Sequence, residues 1–250
     1  MFSDKANFQM ENRFDPIADN EIFVFDCHPQ VTCFNACCRD LNQFLTPYDI
    51  LRLKQHLGLS SGAFLETYAT EHLGPQTGLP VVTLRCQAPG ALCPFLSPGG
   101  CGVYPARPTS CRLYPLARAI ARNPASHRTE EHFALIRESH CQGFCSGTAR
   151  SPRQWMKSQQ LASYTEFNDL FLELIGLKNR VTTDPLPLRD QHLFRTALYD
   201  LDRFRLQIEN SAIADDYGLS AEAVQALLTD DEVLLRFAHR FVKREVFGER

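Results

Sequence analysis

Ten cysteines stand out in this 250-residue chain, in three groups: Cys27, Cys33, Cys37 and Cys38; Cys86, Cys93, Cys101 and Cys111; Cys141 and Cys145. Thiolates ligate zinc and iron–sulfur clusters, and one tetrahedral zinc or one cubane needs four. The count therefore permits two centres, or one centre with further thiols beside it. The segment from Cys86 to Cys111 is crowded with proline and glycine. Proline removes backbone donors and glycine costs backbone entropy, so neither a long helix nor a regular sheet forms there, and metal–thiolate bonds are the economical staple. A cysteine is also a small hydrophobe, and some of the ten could simply fill core. His28 and His140 adjoin cysteines, and Asp26 and Asp40 flank the first group. They are secondary candidates, since loop histidines and carboxylates more often serve as solvated or capping groups.

Spacing narrows the chemistry. No C-x-x-C pair and no ferredoxin run is present, and the radical-SAM triplet fails because Asp40 follows Cys33 and Cys37 where a third cysteine is needed. Charge adds a separate signal. From His72 through Thr129 there is no Asp or Glu, yet Arg85, Arg107, Arg112, Arg118, Arg122 and Arg128 are present. A positive surround favours thiolate over thiol and offsets the negative charge of a cluster. The leading expectation is a [4Fe-4S] cluster held by Cys33 or Cys37/Cys38 with Cys93, Cys101 and Cys111, the other cysteines being further candidate ligands. Arg107 and Arg112 are expected beside it, and Phe95, Tyr104, Tyr114 and Phe144 are candidates to shield it from water. Zinc is the alternative occupant.

The elements that must position these groups read as mainly α with a few short strands, an α+β chain with a loop-rich metal-binding core and a C-terminal helical subdomain. The expected division is an arm over 1–20, a cysteine-cluster domain over 21–150 and helices over 151–250. EIFVF at 21–25 reads as a strand delivering the chain to Cys27. Thr46-Pro47-Tyr48-Asp49 signals a helix start, with Gly58 closing it. A second helix is expected from Ser60 or Ser61 to Gly74, then a strand over Leu79–Arg85. The segment after Cys111 reads as a short strand or turn, and EHFALIRE as another short element. Beyond Cys145 the periodicity is helical: Phe167, Phe171, Leu174 and Ile175 mark one face, Phe194 through Ile208 a second, and Leu234 through Phe241 a third, with Asp230 and Asp231 as caps.

The first cysteine group with LTPYDILRLKQHLG, then CPFLSPGGCGVYPARPTSCRLYP, then HCQG, resembles the YkgJ-type cysteine-cluster family, a zinc- or iron-chelating domain. The resemblance covers about residues 21–147. The family pattern is C-x2-C-x2-C-C, and here the gaps are Cys27-x5-Cys33-x3-Cys37-Cys38. Membership implies zinc or iron–sulfur binding, often with an oxidoreductase role. A distantly similar cysteine-cluster domain occurs in flagellin lysine methylases, which implies S-adenosylmethionine as a further cofactor, although Gly99, Gly100 and Gly102 form no dinucleotide-type glycine motif.

Three functions follow as expectations: an iron–sulfur protein giving redox support to a modification reaction, a structural zinc module for a protein partner, and an S-adenosylmethionine-dependent lysine methylase. If an enzyme, it is an oxidoreductase or the accessory of a protein-modifying enzyme. A net charge of −3 argues against nucleic-acid partners. No signal sequence or apolar run of membrane length is evident, which predicts a cytoplasmic protein with a protein or redox partner. No Ser-His-Asp motif, P-loop or H-E-x-x-H supports hydrolysis.

Overall fold

The structure, a computed structural model, describes residues 13–39, 41–122, 129–145 and 147–249. Asp40, Arg128 and most of the expected 1–20 arm lie outside the described residues. The chain forms two compact units, each drawn from two segments: Met1–Cys37 with Ser110–Leu161, and Cys38–Thr109 with Ala162–Arg250. The class is α+β, with helices dominating the C-terminal part and strands in small antiparallel sheets.

The first unit is built on a three-stranded antiparallel sheet in the order Arg13–Ile17, Thr129–Arg137, Leu116–Arg122. The last two strands are nine and seven residues long. They are longer than the short elements expected here, because Leu116, Phe133 and Leu135 all bury on one core and reward a continuous ladder. A second ribbon pairs Phe23–Phe25 with Thr148–Arg150, placing the predicted EIFVF strand. The helix Pro152–Ser158 starts at Ser151, whose hydroxyl accepts from Gln154 N–H while the Gln154 side chain accepts from Ser151 N–H. This cap turns Trp155 inward, and Trp155 Nε1 donates to the Leu113 carbonyl at 3.0 Å. The core is Ile17, Phe23, Phe25, Leu116, Phe133, Leu135 and Trp155. Phe25 is its hub, with edge contacts to Tyr114, Phe144 and Trp155 at centroid separations of 5.8, 5.0 and 5.6 Å.

The second unit confirms the cap reading in detail. The helix Pro47–Leu57 opens on a reciprocal capping box between Thr46 and Asp49 and closes on left-handed Gly58. Asp49 is buried, its Oδ1 accepting from the amide and hydroxyl of Thr109, each at 2.7 Å. The next helix corrects the expectation that it runs to Gly74. It spans Ser61–Tyr68, and Ala69–Leu73 is a strand on Pro80–Leu84. The Val-rich run needs a hydrogen-bonding partner, and a Gly74–Gly78 turn, with Gly78 at φ 63°, folds the preceding residues back onto it. The strand Phe44–Leu45 pairs on the other side.

The C-terminal segment supplies helices Ala162–Val181, Leu188–Tyr199, Leu201–Glu209, Ile213–Asp216, Ala221–Thr229 and Asp231–Glu245. The face expected from Phe194 to Ile208 belongs to two helices, broken at Asp200. The reason is polar: Asp200 accepts from Ser61 Oγ at 2.7 Å and pairs with Arg195, while Asp202 accepts from Ser61 N–H at 2.7 Å. Lys54 lies against Asp202 and Asp231, each 3.1 Å away, and Arg205 joins both carboxylates. Around this network Tyr48 stacks on Phe167, and Phe64, Phe194, Phe204 and Leu234 are completely buried. No helix among the described residues is long and apolar enough to cross a membrane.

Candidate metal centre

Within the first unit, the chain leaves the Phe23–Phe25 strand directly into Cys27, passes Cys33 and Cys37, and meets the Cys141–Cys145 turn. Gly143 makes that meeting possible. Asp26 N–H donates to the Gly143 carbonyl at 3.0 Å, and a Cβ on Gly143 would stand 2.4 Å from Phe25 Cε2 and 2.8 Å from the Asp26 carbonyl. Only glycine lets the backbones approach so closely. The approach lets Gln142 N–H donate to Cys33 Sγ at 3.1 Å, across 109 residues of sequence. Cys33 in turn interacts with Cys141, whose sulfur also accepts from Gly143 N–H and faces the Tyr114 hydroxyl. Cys27 is near enough to Cys37, Cys33 and Cys141 for each to disfavour its ionisation.

Electrostatics here follow from crowding. Burial, then the neighbouring thiols and Asp26, push the Cys27 thiol up to about 11. Burial likewise raises Cys141 and Tyr114. Burial and neighbouring thiols disfavour the thiolate at Cys27, and a cation beside it supplies the compensating charge. The wall behind them is the Phe25, Tyr114 and Phe144 cluster, with Arg137 stacked 4.0 Å over Phe144.

The other candidates sort as follows. Cys111 and Cys145 are exposed in the first unit, Cys145 pointing to Gln142 Oε1 at 3.7 Å. His28 Nδ1 lies 2.7 Å from Gln30 Oε1, His140 lies 3.6 Å from Glu138, and Asp26 caps the Cys27 amide at 2.9 Å. Arg112 directs one arm to the Gln159 carbonyl at 2.8 Å, and Arg118 pairs with Glu131. In the second unit, Cys38 ends the 3-10 turn Ala36–Cys38, Cys86 and Cys93 lie on loops, and Cys101 lies on the short ladder of Leu96–Ser97 on Gly100–Cys101. Arg85 caps helix Ser61–Tyr68 through the Glu66 and Ala69 carbonyls, and Arg107 stacks on Tyr104. Phe95 is buried on Tyr68, but Tyr104 is 57% exposed and shields nothing from water.

The donor set suits a soft cation: Cys33, Cys37 and Cys141 lie near Cys27 in the first unit, with Gln142 N–H on Cys33 and Cys141 against the aromatic wall. Among the described residues no three or more His, Cys, Asp or Glu side chains stand in finished ligating geometry, so the thiols are gathered but not closed on a point. Sequence reasoning assigns no role to Gln142 or Gly143. The signal for both was a glycine between two nearby cysteines, which only a close backbone approach requires.

Neither a curated protein nor a solved structure matches the chain. A family model does, over residues 26–142, and it describes a "putative zinc- or iron-chelating domain" named for its CxxCxxCC pattern. The clustered thiols, the approach of Cys33 to the Gly143 turn and that match agree, and residues 26–142 of this chain are similar to the zinc- or iron-chelating cysteine-cluster domain of the CxxCxxCC family.

Proposed function

We propose that Cys27, Cys33, Cys37 and Cys141 hold a [4Fe-4S] cluster and that the protein gives redox support to a modification reaction in the cytoplasm, with a protein partner as electron donor or acceptor. The observation that carries this reading is the Gln142 N–H bond to Cys33 Sγ beside the Phe25, Tyr114 and Phe144 wall. Hydrogen bonds to cluster sulfurs and exclusion of water are the two levers by which a protein sets cluster potential. When bound, the cluster supplies one-electron transfer.

The residues of the chain divide the remaining work. Gln142 and Gly143 amides stabilise negative sulfur, Phe25 and Phe144 keep water away, and Arg137 adds positive charge beside the Phe144 ring. The test is anaerobic purification followed by iron and sulfide content and a visible spectrum. The expected result is a coloured protein that loses both iron and sulfide in Cys33→Ser and Cys141→Ser. A colourless protein carrying zinc on these four thiols overturns the redox role.

A further inference from the structure

The three-stranded sheet of the second unit ends on the strand Ala69–Leu73, whose outer edge has no strand beside it among the described residues. Two bonds fix which residues face outward. Arg85 N–H donates to the Tyr68 carbonyl at 2.7 Å and Gly74 N–H to the Leu79 carbonyl at 2.9 Å, one pair beyond each end of the ladder with Pro80–Leu84. Bonded pairs alternate in an antiparallel ladder. Thr70 and His72 therefore turn their amides inward to Thr83 and Val81, and Ala69, Glu71 and Leu73 turn theirs outward. Ala69 is already served, its N–H donating to the Leu65 carbonyl and its own carbonyl accepting from Arg85. Glu71 and Leu73 are left with two donors and two acceptors that no backbone group among the described residues meets.

The same edge lies under a helix that extends past it. Register puts Glu71 opposite Val82 and Leu73 opposite Pro80, on the face where Arg195 of the helix Leu188–Tyr199 holds Glu71 by two bonds, at 2.7 and 2.8 Å. Toward the start of that helix a groove of about 330 Å³ opens between Leu73, Pro80, Leu188 and His192. Leu188 is 82% exposed and Leu73 42%, both lining space that one more strand would fill. Edge strands are commonly guarded by lysine or proline, and Ala69–Leu73 has neither, whereas the edge strand Arg13–Ile17 of the first unit carries Pro16.

We propose that this edge joins two copies of the chain, their Ala69–Leu73 strands pairing antiparallel about a two-fold axis at His72. In that register Glu71 of each copy exchanges both bonds with Leu73 of the other, and every open donor finds an acceptor. Length argues for a second copy over a longer foreign peptide. The helix Ser61–Tyr68 closes the edge at one end and the Gly74–Gly78 turn at the other, and a second copy brings an edge of the same two open residues at the same spacing. Charge argues the same way. Each Glu71 is met by Arg195 of its own copy, so like carboxylates do not oppose the approach, and an apolar, neutral edge is complementary to itself. The added strand covers Leu73 and runs beneath the overhanging Leu188.

The experiment uses the full chain with its metal as purified, kept reduced so that no intermolecular disulfide forms. Sedimentation and light scattering over a concentration series are expected to show a monomer–dimer equilibrium, a weak one because so short an edge buries less than the ~1,200 Å² at which stable interfaces begin. Amide exchange over residues 69–73 slows as the dimer forms. Leu73→Lys and Leu188→Lys each weaken dimerisation at least roughly tenfold while the helical signal stays that of the wild type. Leu188 is exposed enough that its replacement leaves folding untouched, which keeps the test decisive if Leu73→Lys unfolds. The proposal is overturned by a chain still monomeric at ~1 mM, by a dimer that Leu188→Lys does not weaken, or by a dimer with unchanged exchange over residues 69–73. A chain that stays monomeric and takes up an extended peptide at this edge overturns it as well, in favour of a foreign partner.

Discussion

The two units solve the same problem with different means. The first rests on a small core of seven residues centred on Phe25, and one of its thiols lies directly against it, Cys141 packing with Phe144 on the same cluster. The second has a broad helical core through Tyr48, Phe64, Phe167, Phe194, Phe204 and Leu234, tied by the network of Lys54, Arg205, Asp202 and Asp231. Small cores bury too little apolar surface to offset chain entropy and need a staple, whereas the larger core stands on its own burial. The contrast explains where metal matters. On the cluster reading proposed above, a metal on the thiols of the first unit would be part of its fold, whereas the core of the second unit would stand without it.

That contrast breaks or sharpens in four measurements, the first with the largest expected effect. Stripping metal from the reduced protein unfolds the first unit, since a structural metal site contributes on the order of 10 kcal/mol. The only tryptophan, Trp155, lies in that unit's core, so its emission shifts to the red while most helical ellipticity persists. Unchanged Trp155 emission in protein proven metal-free would refute the asymmetry. Next, Phe194→Ala should cost about 3–5 kcal/mol by removing a fully buried ring. The loss appears in the helical signal, and metal content stays as in wild type.

Gly143→Ala is expected to cost about 1–3 kcal/mol, because its Cβ would overlap Phe25 and the Asp26 carbonyl. It lowers the urea midpoint read by Trp155 and lowers metal content with it. A variant that keeps full metal would show that the Gly143 approach does not assemble the thiols. The smallest effect is acid sensitivity of the second unit. Burial, with Lys243 and Arg236 adding to it against the opposing pull of the Leu235 carbonyl and Glu173, lowers His239 from its ordinary value to about 4. The unfolded chain then binds a proton that the folded one refuses. Stability from this group is intact above pH 6.5 and declines as pH falls toward 4, by about 1 kcal/mol per pH unit at the steepest. His239→Gln keeps a donor for the Leu235 carbonyl, 2.8 Å from Nδ1, and should flatten that slope in the helical signal.

Much of the second unit could be read from neighbouring residues, because its boundaries are set by local chemistry. The Thr46–Asp49 box, left-handed Gly58 and the Asp230 cap all lie where their side chains predict. The local rule failed where a distant partner won. Ala69–Leu73 is strand because Pro80–Leu84 claims it, and the helix after Tyr199 breaks because Asp200 bonds to Ser61, 139 residues away. The strand pair Leu116–Arg122 and Thr129–Arg137 was likewise longer than its mixed polar sequence suggested, since its reward comes from Ile17, Phe25 and Trp155.

The sequence alone pointed to metal chelation through thiols, because composition and ligand chemistry narrow the class of group that ten clustered cysteines hold, and the CxxCxxCC match over residues 26–142 agrees. It could not sort them. Cys37 and Cys38 are neighbours in sequence, yet the boundary between the two compact units falls between them, and Cys33 takes its hydrogen bond from Gln142. Which thiols keep company is decided by sheet register, a glycine-sized approach of two backbones and long-range hydrogen bonds, none of which leaves a trace in the spacing of the cysteines themselves.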